Sequence, residues 1–581
     1  MPHDRADRSA ITVANTRKML DFYSGALGVP YPWDKYAQAW VDDFVAGGME
    51  NTSATTHTVN SLLHPQLAGE TLEKSDGLIA HELAHQWFGD LVTCKDWANI
   101  WLNEGFATYF ETLWEEHEYG ADEAAYSLWQ NRNRWMNNSR LYPVPMVTRN
   151  FRDSTEYAGN VYGKGGWVLH MLRQRLGDAA FYQAMRRYLE VNRGQNVVTA
   201  DLAKAVEQAT GVSVDQFFDE WVYGAGAPRF EVSYAYDDAA RQVKLSVEQT
   251  QKVEGRVGLF HVPVEVEITT AAGRKSFPVE VAKASEKFTF PVDGPPLMVL
   301  FDKGNTILKS AEFHKPAKEW IYQLKSAQAV PDRADAAKAL GEFKDNGDAI
   351  AALGQAALGD SFWGVRVEAV RALGRIGGPA AQKQIFAALQ DERPWVRQEI
   401  VEQMGSFRDD STIATKLEAI YREDKTYRVR AAALASLAQQ KPASAFELLR
   451  AAAATESPDD RLRIAALRAL GTLGDDRAAP ILLESSATGK PFAVRSAAIG
   501  SLGRLDKKDK AITERLIAYL AEPYRSVRFA TFQALSQRGD PAAIAPLESL
   551  LKSHELIPGL REFAETVIEH LKHAATSATE K

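Results

Sequence analysis

The chain has 581 residues, of which 45% are apolar and 25% charged, with a formal net charge of −8 and a single cysteine. The length is typical of about four domains and the composition of a folded globular protein. The negative net charge argues against a broad nucleic-acid-binding surface. The single cysteine, Cys94, cannot form an intrachain disulfide. The sequence has no run of about 18 apolar residues, so no transmembrane helix is predicted.

The first elements lead to a pair of glycines. Residues 12–27 have helical periodicity that ends at Gly28, and residues 37–44 are typical of a strand. The strand runs into the segment GGMEN at residues 47–51, whose two glycines would let the backbone lie close to a ligand.

The next predicted helix, over residues 72–87, carries the pattern HExxH. His81 and His85 lie one turn apart on one helix face, so both imidazoles can reach one metal ion. HExxH is a zinc-peptidase pattern in which Glu82 would act as the general base. The pattern fixes only three positions, and its alternative is a surface helix with two hydrogen-bonded histidines.

A second helix, over residues 99–117, carries Glu104. A carboxylate from a neighbouring helix can complete a set of two histidines and one glutamate, which leaves the fourth zinc position open for water, as a catalytic site requires. Glu111 lies on the same face as Glu104 and is either a partner of a ligand histidine or an ordinary structural glutamate. Cys94 is interpreted as a small buried residue, because the three ligands already fill the protein positions.

Helices continue to about residue 222, and the periodicity then changes to two. Predicted helices cover residues 167–176, 179–191, 199–210 and 214–222, after a segment with the pattern Tyr157-x4-Tyr162-x-Lys164-Gly165. From residue 228 apolar and polar residues alternate, which predicts a small antiparallel β-sandwich with one solvated face per sheet.

The C-terminal part is a helical repeat. An arginine, usually after valine and followed by alanines, recurs every 31 to 33 residues. These repeats resemble HEAT repeats, and we predict about seven helix pairs between roughly residues 312 and 570 that stack into a solenoid. Each arginine should lie near the start of its pair's second helix, with a structural role. The repeat arginines are Arg333, Arg366, Arg397, Arg430, Arg463, Arg495 and Arg528.

Three motifs in order carry a resemblance to a known family. HELAHQWFGDLVT followed by WLNEGFATY resembles the zinc site of the aminopeptidase N family of zinc metallopeptidases, the gluzincins, which includes the membrane alanyl aminopeptidase and leukotriene-A hydrolase type. GGMEN is similar to that family's substrate-recognition segment, and the Tyr157 to Gly165 pattern to its catalytic-tyrosine segment. The resemblance covers residues 10–310 well. Gly48 stands where the family more often has alanine.

The resemblance implies roles for the site residues. One Zn²⁺ per chain would be held by His81, His85 and Glu104. Glu82 and Tyr162 would be catalytic, with the Tyr162 phenol donating a hydrogen bond to the oxyanion of the tetrahedral intermediate. The substrate would be bound by the GGMEN segment, in which Glu50 anchors its free α-amine. The residues of this segment are Gly47, Gly48, Met49, Glu50 and Asn51.

The predicted fold class is therefore a multidomain α+β protein. A thermolysin-like zinc peptidase domain would occupy residues 1–227, the β-sandwich residues 228–309 and the α-solenoid of HEAT-like repeats residues 310–575. Family members carry a large N-terminal β domain, and only 46 residues precede Gly47. We therefore expect that domain to be missing and the N-terminus to be truncated, which leaves the compartment open.

The predicted function is that of a zinc-dependent aminopeptidase acting on peptides with a free N-terminus. GGMEN argues against an endopeptidase, whereas a bifunctional epoxide hydrolase stays open. A third alternative is a HEAT-repeat binding scaffold with an inactive or auxiliary peptidase domain, and in either case the solenoid offers a surface for a protein partner. The preferred N-terminal residue, the physiological substrate and the oligomeric state do not follow from the sequence.

Overall fold

The computed structural model describes residues 3–44, 46–151, 154–407, 410, 412–553, 556 and 558–579. The chain divides into two compact units. The first comprises Met1–Val41, Ala46–Leu63 and Thr71–Ile376, and the second comprises Asp42–Val45, His64–Glu70 and Gly377–Lys581. No helix of the described residues is long and apolar enough to cross a membrane.

The N-terminal part of the first unit is mainly helical around a core rich in aromatic residues, of which Trp87, Trp101 and Trp167 are almost fully buried. Its helices are α1 (Ser9–Thr12), α2 (Thr16–Leu27), α3 (Ala68–Ala84, of which the first three residues are assigned to the second unit), α4 (Trp101–Tyr119), α5 (Ala121–Met136), α6 (Ser154–Ala158), α7 (Gly165–Leu176), α8 (Asp178–Val191), α9 (Thr199–Thr210) and α10 (Asp215–Phe218). Its strands are β1 (Ala37–Val41), β2 (Gly48–Met49), β3 (Ala54–Thr58), β4 (Thr93–Cys94) and β5 (Asn196–Val197). Strand β1 pairs with β3 in parallel and β2 pairs with β3 antiparallel, while β4 pairs with β5 in parallel.

The β-sandwich follows, and its last strand lies beyond the predicted end at residue 309. The strands are β6 (Arg229–Asp237), β7 (Gln242–Gln249), β8 (Val262–Thr270), β9 (Gly273–Val281), β10 (Ser285–Pro291), β11 (Met298–Phe301) and β12 (Ser310–His314). One sheet has the order β10-β7-β6-β12 and the other β11-β8-β9. All pairs are antiparallel, as predicted, except β12 with β6, which is parallel because the chain reaches β12 by a crossover from the other sheet rather than by a hairpin.

Two helix pairs complete the first unit, and further pairs form most of the second unit. The pairs are α11 (Ala317–Ser326) with α12 (Val330–Leu340), α13 (Gly347–Gly359) with α14 (Trp363–Ile376), α15 (Gly378–Ala387) with α16 (Pro394–Met404), α17 (Ile413–Glu423) with α18 (Tyr427–Gln440), α19 (Ala445–Ala453) with α20 (Arg461–Leu473), α21 (Ala479–Ser485) with α22 (Phe492–Leu502), α23 (Lys510–Ala518) with α24 (Arg525–Arg538), and α25 (Ile544–Lys552) with α26 (Pro558–Thr579). Each predicted repeat arginine lies in the second helix of a pair, which confirms the period, and in the described part of the chain an eighth pair, α25 with α26, follows the pair that carries Arg528.

Within the second unit, two carboxylates from its short N-terminal segments cap helix N-termini. Both oxygens of Glu70 accept backbone N–H bonds of 2.8 Å at the start of α18, from Tyr427 and Arg428. The Asp43 carboxylate accepts bonds of 2.7 and 3.1 Å at the start of α24. A negative charge stabilises a helix N-terminus because it pairs with free N–H groups and with the helix dipole.

Three of the repeat arginines, Arg333, Arg397 and Arg495, each bind a carboxylate in the loop of the next helix pair. Arg397 donates to both oxygens of the Asp424 carboxylate, at 2.9 and 3.1 Å, and to the carbonyl oxygen of Asp391 at 2.8 Å. Further along the repeat, Arg495 makes the corresponding bonds to Glu522 at 2.7 Å and to the Ser486 carbonyl at 3.0 Å. These side chains are buried and bidentate, so they hold successive helix pairs in register.

We expect Arg397→Ala to lower the free energy of unfolding of the second unit by about 3 kcal/mol, because the Asp424 carboxylate would stay buried without its cation. The matched control is Arg450→Ala, which removes an ion pair whose side chains are 57% and 61% exposed, against 7% and 12% for Arg397 and Asp424. The control should cost less than about 0.5 kcal/mol. Urea unfolding followed by circular dichroism measures both, and equal losses would contradict the structural role of the repeat arginine.

Candidate functional site

Three predicted ligand atoms converge between α3 and α4. His81 Nε2 lies 3.2 Å from His85 Nε2 and 3.3 Å from Glu104 Oε2, and His85 Nε2 lies 3.2 Å from the same carboxylate oxygen. An ion with tetrahedral bonds of about 2.0–2.1 Å needs ligand atoms about 3.3–3.4 Å apart. The three atoms therefore have the spacing of one face of a tetrahedron, and the group could hold a metal ion.

Local packing brings the two helices to this distance. His85 follows the last residue of α3, yet its backbone N–H still donates to the His81 carbonyl at 3.3 Å, so the two rings stay one helical turn apart. Gly105 in α4 lies against Gly165 at the start of α7, where a Cβ added to Gly165 would be 2.9 Å from the Gly105 Cα. This close approach brings Glu104 next to the segment that carries Tyr162.

The remaining imidazole nitrogens define the histidine tautomers. His85 Nδ1 lies 3.0 Å from the Phe88 carbonyl oxygen, which can only accept, so Nδ1 carries the proton and Nε2 keeps its lone pair for a metal. His81 Nδ1 lies 3.7 Å from a carboxylate oxygen of Glu111. The sequence left the role of Glu111 open, and the structure brings it to the outer side of a predicted ligand.

Glu82, the predicted base, is buried beside the GGMEN strand. A Cβ added to Gly48 would lie 2.0 Å from Glu82 Oε1, so the missing side chain leaves the space that this carboxylate occupies. Burial, partly offset by the charges of His81 and His85, raises the pKa of Glu82 to about 7. A carboxylate with this pKa is suited to accept and return a proton near neutral pH.

The GGMEN segment forms one wall of the site. Gly48 and Met49 are strand β2, and the carboxylate of Glu50 has an oxygen within 4.8 Å of ligand atoms of both Glu82 and His85. The backbone carbonyl of Glu50 accepts a bond of 3.1 Å from Gln86, which fixes the strand against α3. Asn51 is not among the described residues that line the cavity, and its side-chain oxygen accepts a bond of 2.9 Å from the Thr56 hydroxyl.

Tyr162 lies on the opposite wall. It belongs to a π-helical turn, Gly159–Lys164, between α6 and α7, and its ring stacks on His81 with centroids 5.8 Å apart. Such turns are rare and are found frequently at functional sites. Burial, followed by the charge of Glu104, raises the pKa of Tyr162 above its ordinary value, so the phenol is a neutral donor at pH 7. The Tyr157 ring lies 6.1 Å from the Tyr162 ring.

Lys164 lies behind this wall and is fully buried. Among the described residues its ammonium group has no hydrogen-bond partner, and it lies 5.7 Å from the centre of the Trp135 ring. Burial lowers its pKa to about 7. These contacts agree with the structural or electrostatic role that the sequence indicated.

One cavity of about 1090 Å³ joins these groups. Its walls include the predicted ligands, Glu82, both tyrosines and residues 46–50, and also Cys94, which is partly buried. Trp97, between the two ligand helices, is 74% exposed and lines the same cavity. Trp97 belongs to none of the sequence motifs, and the one signal for it in the sequence is its place between the two predicted site helices.

The arrangement defines a class of protein: two histidines one turn apart, a glutamate from the adjacent helix and a buried carboxylate beside them form a metallopeptidase-type catalytic domain. Residues 11–221 match the family model described as "Peptidase family M1 domain", and four overlapping stretches between residues 317 and 556 match "HEAT repeats". The chain is thus similar to a peptidase family M1 domain and, further along, to HEAT repeats, which confirms the family resemblance of the motifs.

Relatives with curated names match about half of the chain. Tricorn protease-interacting factor F2 of Thermoplasma volcanium is 29% identical over 284 residues, which is 47% of this chain and 35% of that protein. Aminopeptidase M1 of Arabidopsis thaliana is 30% identical over 292 residues, which is 48% of this chain and 32% of that protein. The chain therefore spans about a third of the length of the curated relatives it matches.

A solved structure matches almost the whole chain. The crystal structure of Legionella pneumophila aminopeptidase A in complex with aspartic acid has a TM-score of 0.67 and covers 98% of this chain and 74% of its own. At 13% sequence identity this match supports the fold alone. The roles of the individual site residues stay predictions.

Proposed function

We propose that the protein is a zinc-dependent aminopeptidase that removes the N-terminal residue of peptides. One observation carries the proposal: the Glu50 carboxylate lies in the same cavity as the metal-ligand triangle, within 4.8 Å of Glu82 and His85. A peptide whose amine pairs with Glu50 would have its first carbonyl, and no later one, beside the ligand set.

The ligand set suits zinc. Two imidazole nitrogens and one carboxylate oxygen are the donors of many catalytic zinc sites. His81, His85 and Glu104 would hold the ion, with the Phe88 carbonyl and Glu111 orienting the imidazoles. When bound, zinc supplies Lewis-acid polarisation of the carbonyl and lowers the pKa of water.

Three side chains would carry the remaining chemistry. Glu82 would take the proton of the attacking water and return it to the leaving amine, for which its raised pKa is suited. Tyr162, protonated at neutral pH and stacked on His81, would donate a hydrogen bond to the carbonyl oxygen as negative charge develops there. Glu50 would orient the substrate by its amine, which makes attack on the first peptide bond effectively intramolecular.

In this proposal residues 1–227 form the catalytic domain, residues 228–309 the sandwich and residues 310–575 the solenoid. Helical repeats present extended surfaces for proteins, so a protein partner is proposed for the solenoid. The name of the Thermoplasma volcanium relative describes that protein as a factor that interacts with tricorn protease. A binding scaffold without activity is the second candidate, and the absence of any turnover would favour it.

The test compares a peptide with its N-acetylated form. We expect the wild type to prefer the free amine by roughly 10- to 100-fold in kcat/KM, because an acylated amine leaves the Glu50 carboxylate desolvated and unpaired. Glu50→Ala should raise KM for the free-amine peptide and reduce this preference. Glu190→Ala, which changes an exposed glutamate paired with Arg186, is the control and should leave the preference unchanged.

Product analysis separates the alternatives. Equal cleavage of both peptides, or an internal cut in the acetylated one, would contradict the aminopeptidase assignment even with every metal ligand correct. Hydrolysis of an aminoacyl anilide that is lost on chelation supports the proposal, whereas silence toward a full anilide panel favours the scaffold. Turnover of a lipid epoxide beside peptide turnover would support the bifunctional alternative.

A further inference from the structure

Strand pairing alone does not fix the position of Glu50. Only Gly48 and Met49 form β2, and Glu50 follows the last residue that pairs with β3. Glu50 therefore begins the connection to β3 and lies outside the ladder of strand hydrogen bonds. A carboxylate that anchors the substrate amine needs a further contact to keep its place beside His85 and Glu82.

Gln86 makes this contact. It follows the predicted metal ligand His85 directly in the chain, and it is fully buried. Its amide nitrogen donates to the Glu50 carbonyl oxygen at 3.1 Å, and its amide oxygen accepts from the Ser53 backbone N–H at 2.8 Å. A carbonyl oxygen can only accept and a backbone N–H can only donate, so these two bonds define the orientation of the amide.

The two backbone groups that Gln86 binds are the pair that commonly closes a β-turn. In many such turns the C=O of the first residue accepts from the N–H of the fourth, and Ser53 is the fourth residue counted from Glu50. The Gln86 amide stands between the two groups and makes both bonds. Ser53 has a φ of 62°, a left-handed conformation that is unfavourable for serine. The connection is thus held in a strained form against the end of α3.

We propose that Gln86 is a positioning residue that sets the distance between the amine anchor and the metal-ligand triangle. The inference rests on the proposed aminopeptidase function and deepens it. Because Gln86 follows His85 in the chain, its bond joins the Glu50 backbone to one of the predicted ligands. The substrate amine must reach Glu50 while the first carbonyl reaches the ligand set. A shift of the Glu50 backbone by about 1 Å would misplace that carbonyl and can cost about 100-fold in rate.

This role concerns substrates with a free amine. Without the Gln86 amide, the Glu50 carbonyl and the Ser53 N–H can bond to each other or to water, which allows Glu50 to move away from α3. A free-amine peptide then loses its orientation, whereas an N-acetylated peptide makes no ion pair with Glu50 and has no such orientation to lose. Within the described residues the Gln86 side chain makes no bond to the three predicted ligands, so the zinc content should not change.

The experiment compares a peptide with its N-acetylated form in the wild type and in Gln86→Met, which removes both amide bonds and keeps the side-chain length. We expect the preference for the free amine in kcat/KM to fall by about tenfold or more. The KM of the free-amine peptide should rise, and one zinc ion per chain should be retained. Gln86→Asn keeps an amide that is one methylene too short to reach both groups, so it should lower the preference in a less disturbed fold.

The matched control is Gln249→Met. Gln249 is a buried glutamine of the β-sandwich whose amide donates to the Phe260 carbonyl at 2.9 Å and accepts from the Phe260 N–H at 3.0 Å. This variant loses the same kind of bonds away from the site, so it should keep the wild-type preference. An equal loss of the preference in Gln249→Met and Gln86→Met would assign the effect to stability and overturn the proposal.

A double-mutant cycle tests whether Gln86 acts through Glu50. In the Glu50→Ala background, Gln86→Met should change kcat/KM of the free-amine peptide by less than about twofold, because the anchor that it positions is already absent. Fully additive losses would show that Gln86 acts elsewhere in the site and would overturn the inference alone. Equal cleavage of both peptides by the wild type, with no effect of Glu50→Ala, would instead refute the proposed function and the inference with it.

Discussion

Glu104→Ala is expected to abolish stoichiometric zinc binding, while the wild type should contain one zinc ion per chain. The variant keeps two imidazoles but loses the atom that closes the triangle, 3.3 and 3.2 Å from the two histidine nitrogens. Changes in residues that only orient a ligand cost about 10- to 100-fold in affinity, so loss of a ligand should exceed about 100-fold. Metal analysis after dialysis and titration against a competing chelator measure both quantities.

Glu111→Ala is the matched control for this experiment. It removes a carboxylate from the same helix face, but this carboxylate contacts the outer nitrogen of His81 at 3.7 Å and not the triangle. We expect it to retain zinc with an affinity about 10- to 100-fold below that of the wild type. Equal zinc affinity in the wild type and Glu104→Ala would refute the ligand assignment. A larger loss of zinc affinity in Glu111→Ala than in Glu104→Ala would make Glu111 the ligand and Glu104 the orienting residue.

The convergence of His81, His85 and Glu104 could be predicted from the sequence because it depends on local periodicity. His81 and His85 are one turn apart in any helix, and Glu104 follows in the next predicted helix. The predicted bounds were less accurate: α3 ends at Ala84 rather than at residue 87, because the backbone bonds of Gln86 and Trp87 shorten to the third residue back. His85 retains its bond to His81, so the error leaves the ligand geometry unchanged.

The position of Tyr162, on the other wall of the site, could not be predicted from helical periodicity. The predicted role of Tyr162 follows from the resemblance, whereas its position depends on a π-helical turn and on the contact between Gly105 and Gly165, which are 60 residues apart in the sequence. Neither feature produces a period in the sequence. The α5 helix was also not predicted, because its polar face obscures the apolar positions.

The repeat region shows the same division between local and long-range information. The recurrent arginine predicts about seven helix pairs, and the pair that this count omits is α25 with α26, in which Arg561 follows a leucine rather than a valine. The bonds of Glu70 and Asp43 to the N-termini of α18 and α24 join residues more than 350 positions apart. A carboxylate is also stable in water, so no pattern in the sequence indicates that it binds the N-terminus of a helix so far along the chain.

Glu82→Gln is expected to reduce kcat by roughly 10²–10⁴-fold and to keep zinc. The substituted glutamine has nearly the same shape and would fit the space beside Gly48, but its amide cannot accept a proton near pH 7, whereas burial gives the Glu82 carboxylate a pKa of about 7. Glu82 is outside the ligand triangle, so the zinc content and the free energy of unfolding should stay near the wild-type values. Steady-state kinetics on a free-amine peptide, with metal analysis of the same sample, provides the measurement.

Glu118→Gln, on an exposed ion pair with Lys18, controls for the loss of one carboxylate elsewhere in the unit. A Glu82→Gln protein with full zinc and full kcat would exclude Glu82 as the base, and a protein without zinc would instead make Glu82 a residue on which metal binding depends.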